Sequence, residues 1–205
     1  MRPIQYGGGM SERRSVYGDG LAVGEARRRY FEENGFGDGG YEDAWVKLWV
    51  GPVPLIFPNT AARVAAVRRH DIHHVLTGYA TTWAGEAEIG GWEIASGCGR
   101  FWAAWILNLQ AMSIGLVIAP RALLRAFAWG RRSRNLYHGE VGDELLDLRL
   151  GQLRRRLGLD ASPPEPRAGD VLRLAGWLLV ATPILLGAVA LFLAPLLVPL
   201  WLLLG

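Results

Sequence analysis

Apolar residues recur along this chain mostly at helical spacing, in segments punctuated by glycine and proline. Gly24 to Asn34 reads as one helix with Gly35 just past its end, and Tyr41 to Val50 as another, stopped by Gly51-Pro52. After Pro58, Asn59 or Thr60 stands where a cap belongs, and the helix it opens runs to Leu76 or Thr77 with Gly78 closing it. Thr81 or Thr82 caps the next, which carries Glu86 and continues toward Ile94 across Gly90-Gly91. Phe101 to Ala119 holds 19 residues without a charge. Asn108 and Gln110 in its middle favour a buried or membrane-hugging helix over a span. Asp143 to Leu157 is amphipathic and ends at Gly158. No internal repeat or alternating strand pattern stands out, so the expected fold class is all-α.

From Leu174 to Gly205 the chain carries no charge and is almost wholly apolar. Crossing a bilayer takes about 20 such residues, so this stretch reads as a membrane anchor. Pro183, Pro195 and Pro199 within it allow either a kinked span or a short hairpin that returns to the same side. Upstream, Asp160 to Pro166 is a linker by composition. The resulting organisation is a flexible leader over 1–20, a helical domain over 21–159, a Pro-rich linker over 160–170 and a transmembrane or hairpin anchor over 171–205. Arg167, Arg173 and Arg154 to Arg156 precede the anchor, and the positive-inside rule then puts the helical domain on the cytoplasmic face.

Composition narrows the partners. Half the residues are hydrophobic and nine are tryptophan, which excludes a disordered chain. Lys47 is the sole lysine, and arginine clusters at 27–29, 131–132 and 154–156 suit phospholipid head groups. With a net charge of +3 and no recognisable motif, nucleic acid is not an expected partner. Cys98 is the sole cysteine, so there is neither a disulfide framework nor a Cys-rich metal site. The first 20 residues lack an apolar core of the secretory kind.

The chemistry concentrates in Arg68-Arg69-His70-Asp71-Ile72-His73-His74, where three of the four histidines fall within five residues. On a helix His70 and His74 stack one turn apart, and Asp71 lies within reach of the same point. The apolar stripe Val64 and Val67 runs on into Asp71, His74 and Val75, so these groups face inward, where unpartnered imidazole and carboxylate are costly. A divalent ion is a simple way to neutralise them. His73 lies about 100° further round and is expected to stand apart. Past the turn at Gly78, Glu86 sits opposite the two histidines. Two nitrogens and two carboxylates suit Zn2+, Fe2+ or Mn2+. Rival motifs fail on the residues. HD-type phosphohydrolases need a histidine upstream, and none occurs between Met1 and Arg69; zinc proteases place glutamate where Asp71 stands; no G-x-S-x-G elbow or phosphate loop is present.

His70, Asp71 and His74, followed after eleven residues by Glu86, resemble the H-D-x-x-H…E signature of the coenzyme Q biosynthesis protein 4 family. The surrounding RRHDIHHVLTGYATTWAGEAEIGGWE and the later AWGRRSRNLYHGEVGDELLDLRLGQLRRRLGL are similar to segments of that family, over roughly residues 25 to 160. The resemblance implies an all-helical fold at the membrane surface, with His70, Asp71, His74 and Glu86 as metal ligands, zinc foremost, and Glu86 and His74 as catalytic groups. It implies C1 decarboxylation of a polyprenyl-4-hydroxybenzoate-type intermediate of ubiquinone biosynthesis, with the uncharged helix from Phe101 lining a tunnel for the isoprenoid tail. The alternative it carries is a non-enzymatic prenyl-lipid-binding scaffold that organises other quinone-biosynthesis proteins. A homo-oligomer is also expected. The apolar tail beyond Val171 and the extra His73 depart from the family pattern and point to a divergent bacterial member, placed at the inner membrane.

Overall fold

The computed structural model describes residues 17–50, 53–139, 142 and 144–204. Most of the leader, the Gly51-Pro52 stop and Gly205 lie outside the described residues. What is described of the leader, Tyr17 to Gly20, belongs to the domain: Tyr17 is buried in the core and its hydroxyl donates to Glu33 Oε2 at 2.6 Å. The fold is mostly helical, with α1 at Val23–Asn34, α2 at Ala61–Thr77, α3 at Trp83–Ser96, α4 at Trp102–Ile118, α5 at Pro120–Gly130, α6 at Glu144–Asp147, α7 at Leu150–Leu157 and α8 at Ala168–Leu204.

Between α1 and α2 the expected helix over Tyr41 to Val50 is absent. Trp45–Val50 (β1) and Val53–Pro58 (β2) form an antiparallel hairpin, Trp45 opposite Pro58 and Lys47 opposite Ile56. Pro54 and Pro58 push the residues before them into the extended region, and most of the other strand positions are aromatic or β-branched. Asn59 pins the approach to this arm by donating to the carbonyls of Gly40 (3.0 Å) and Asp43 (2.8 Å). The expected helix over Asp143 to Leu157 is also interrupted. At Leu148 and Arg149 the chain turns extended to pair with the start of α1, Val23 N–H donating to Leu148 O and Leu150 N–H to Leu21 O, both at 2.9 Å. That exchange substitutes for the side-chain cap that Ala22 cannot supply to α1.

Thr60 caps α2, its hydroxyl accepting from Arg63 N–H, and Gly78 in the left-handed region closes it, donating to His74 O at 2.9 Å. Thr82 caps α3 in the same way through Gly85 N–H. The short turn from Gly78 to Thr82 sends α3 back past α2. α3 itself packs closely between α4 and α5. A Cβ on Gly115 would lie 2.5 Å from Ala87 Cβ, and one on Gly130 would lie 2.3 Å from Trp92 O. The second contact is with backbone, which cannot swing aside. Gly130→Ala is therefore expected to destabilise the domain by about 2 kcal/mol, read as a lower urea midpoint.

Two apolar cores result. The first joins α1, α2, α3 and α7 around Tyr30, Ile72, Trp92 and Leu150. The second joins α3, α4 and α5, and is completed by Leu174 and Ala181 of α8. α8 runs unbroken for 37 residues through Pro183, Pro195 and Pro199, so the hairpin alternative is not formed. Proline lacks a donor but its φ suits a helix, and nothing in this stretch reverses the chain. Asp170, Leu174, Trp177, Leu178, Ala181 and Ile184 share the face that meets the domain, with Trp177 stacked on Trp105 at 5.4 Å. Past Ile184, Leu186, Val189 and Leu191 are exposed. The 24 residues from Ala168 to Leu191 are long and apolar enough to cross a membrane.

Candidate metal centre

Helix pitch brings His70 and His74 together, and the turn at Gly78 brings Glu86 to both. His74 Nε2 lies 3.1 Å from His70 Nε2, and Glu86 reaches His70 Nε2 at 3.3 Å and His74 Nε2 at 3.4 Å. The three ligand atoms lie within 4.8 Å of one another, a grouping that can hold a metal ion. Two nitrogens bound about 2.1 Å from one tetrahedral ion sit about 3.4 Å apart, close to the spacing observed.

The far side of each ring decides its proton. His74 Nδ1 is 2.9 Å from the carbonyl of Tyr79, which can only accept, so Nδ1 carries the hydrogen. His70 Nδ1 is 3.0 Å from Glu93 Oε1 and donates to it. With Nδ1 donating, the neutral form of each ring offers Nε2 as a lone pair, the two facing each other and a carboxylate. A proton would relieve one of these clashes. A divalent ion relieves all of them, and the backing of each imidazole by an acceptor is the arrangement that orients histidine ligands.

Glu93 is the residue that sequence reasoning missed. It is wholly buried on α3, two turns after Glu86. Oε1 accepts from His70 and, at 2.6 Å, from His73 Nδ1, while Oε2 accepts from Tyr137 OH at 2.9 Å and from Asn108. His73 must donate there because its Nε2 accepts Leu136 N–H at 3.0 Å. His73 thus stands apart from the ligand group and serves to anchor the carboxylate. Burial opposes ionisation of Glu93, but the charges and hydrogen bonds of His70 and His73 hold its carboxyl well below the usual range. The same balance of burial against His70 and His74 holds Glu86 low, with a side chain about one third exposed.

Asp71 lies outside the three-residue group. Its Oδ2 accepts Tyr41 OH at 2.5 Å, and Arg68 covers the Tyr41 ring at 5.0 Å. Burial raises its carboxyl above the ordinary range, against the Tyr41 hydrogen bond and the neighbouring His70 and His74. Tyr30 stacks on His74 with centroids 5.6 Å apart and helps fix the plane of that ring. The fourth histidine, His138, bonds Ser96 O far from this centre. Compared with family models, curated proteins and solved structures, the chain matches none of them.

Proposed function

We propose that the chain is a metal-dependent lyase that removes the C1 carboxyl of a polyprenyl-4-hydroxybenzoate-type intermediate in ubiquinone biosynthesis. His70, His74 and Glu86 hold the ion, zinc in the first place. The observation that carries the reading is the pair of Nε2 atoms, each ring oriented from behind by an acceptor and both facing a partly exposed carboxylate. Three protein ligands leave a position for substrate, as in working zinc sites and unlike closed structural ones. The resemblance of the H-D-x-x-H…E segment supplies the substrate class. Asp71, the remaining member of that signature, lends negative charge at the margin of the site through its bond to Tyr41.

In the reaction the bond between C1 and its carboxylate breaks, the electron pair stays on the ring carbon, CO2 leaves and a proton takes its place. Electron release from the para hydroxyl makes that carbon basic enough to be protonated. A bound divalent ion supplies a fixed positive charge for the substrate's carboxylate or phenolate. A water made more acidic by the ion would supply the proton, oriented by the ionised Glu86, which His74, locked by Tyr79 O, keeps in register. The apolar α8 and the uncharged α4 beside it favour a lipid substrate drawn from the membrane. Arg167 and Arg173 at the start of α8 favour the cytoplasmic side of a bacterial inner membrane.

The test is to purify the full chain, determine its metal content and assay CO2 release from a prenylated 4-hydroxybenzoate. Glu86→Gln is expected to slow turnover by about 100-fold or more, and His74→Ala to abolish both metal and turnover. A metal-loaded wild type without turnover, whose Glu86→Gln and His74→Ala variants still retain the lipid, would sink the enzyme and leave the scaffold.

A further inference from the structure

The arginine clusters do not behave alike. Arg27 to Arg29 lie on α1, where Arg28 and Arg29 are matched by Glu25 and Glu32. Arg154 is buried and bonded to backbone. The remainder gather in one place. A depression of about 550 Å3 is lined by Arg131, Arg132, Arg134, Arg155 and Arg156 with Ser133, and an adjoining one of about 410 Å3 shares Arg134 and Arg156. The two walls are tied by Arg134 N–H donating to Leu157 O at 2.8 Å, so the groove is set by backbone.

Arg131 and Arg132 both bind Asp170, the latter at 2.8 Å, and Asp170 Oδ2 also accepts Arg167 N–H at 2.8 Å in the first turn of α8. The groove is thereby fastened to the foot of the apolar helix. Arg134, Arg155 and Arg156 are exposed, and among the described residues none of them is paired with a carboxylate. Among the described residues, no acidic side chain lines either depression. Three unmatched guanidinium groups on a fixed surface repel one another, and planar forks of this kind bind phosphate oxygens in pairs.

We propose that this groove binds the phosphate of an anionic phospholipid, through Arg134, Arg155 and Arg156. The inference rests on the reading of α8 as a membrane helix, because α8 then sets its own foot, and the groove with it, at the depth of the head groups. Free phosphate would meet the same arginines but would not explain their place beside the helix. A neutral phospholipid brings its own cation, which the groove repels.

Two measurements separate the proposal from the reading under it. Flotation of the full chain with phosphatidylcholine vesicles reports on α8 alone, and a chain that stays at the bottom refutes the membrane reading. Native mass spectrometry from micelles holding equal phosphatidylcholine and phosphatidylglycerol reports on the groove. Wild type is expected to retain phosphatidylglycerol by about fivefold or more over phosphatidylcholine, the effect of one well-placed arginine. The triple variants Arg134→Gln/Arg155→Gln/Arg156→Gln and Arg134→Glu/Arg155→Glu/Arg156→Glu should float, keep their metal and lose the preference. Equal retention of the two lipids by wild type, an undiminished preference in the glutamine variant, or displacement of the lipid by equimolar inorganic phosphate overturns the proposal.

Discussion

Replacing Glu93 by leucine is expected to destabilise the domain by about 4 kcal/mol and to empty the metal centre. The side chain is of similar size, so the loss comes from charge and not from volume. Four donors converge on this carboxylate, from His70, His73, Tyr137 and Asn108, and each would be left buried without its acceptor. His70 would also be free to turn its ring, which removes the constraint that aims Nε2 at His74 and Glu86. Glu93→Gln separates the two effects. It keeps one acceptor oxygen but aims an NH2 group at donors, so the fold survives weakened while affinity for a divalent ion falls about 10- to 100-fold. Urea titration and competition with a chelating dye read these outcomes. A leucine variant within about 1 kcal/mol of wild type would show that the network is not what holds α2 to α3.

Arg154→Met is expected to cost about 3 kcal/mol, although arginine and methionine fill similar space. Arg154 is 4% exposed, and its guanidinium donates to Leu76 O at 3.0 Å, Val75 O at 3.1 Å and Tyr17 O at 2.9 Å, with Asp19 Oδ1 at 2.6 Å as its counter-charge. Val75 and Leu76 lie in the last turn of α2, whose carbonyls have no partner within the helix. One side chain from α7 therefore finishes the helix that carries His70 and His74. Its neighbour Arg155 is exposed, and Arg155→Met should stay within about 0.5 kcal/mol. Thermal melts of the two variants side by side test the contrast. Equal melting temperatures would show that Arg154 acts as surface charge.

Caps and stops made the helices legible. Thr60 and Gly78 bracket α2, Thr82 opens α3 and Gly35 closes α1, each by a local hydrogen bond that the residue type announces. The hairpin at Trp45–Pro58 was misread because a short apolar run fits both periods, and the prolines that decide it lie in the second strand. The break at Leu148 and Arg149 depends on pairing with Ala22, a partner more than a hundred residues away, which no local window contains. In the site, the i, i+4 pair and Glu86 could be placed by counting. Glu93 could have been found as the next inward carboxylate two turns on. Its partners Asn108 and Tyr137 could not, since they arrive from α4 and from the turn after α5. Asp71 was placed by helix spacing, but its partner Tyr41 comes from the loop before the hairpin, beyond what spacing reports.

The docking of α8 bears on how the chain is made. Leu174 and Ala181 close the second core, yet they are synthesised after α3, α4 and α5, which they cover. Until α8 emerges, the face of α4 that carries Trp105 has no apolar cover, and the nascent domain offers a sticky surface to chaperones or to the bilayer itself. Docking of α8 and completion of the second core are then a single event. A chain whose α8 cannot dock is also a chain that cannot close its second core.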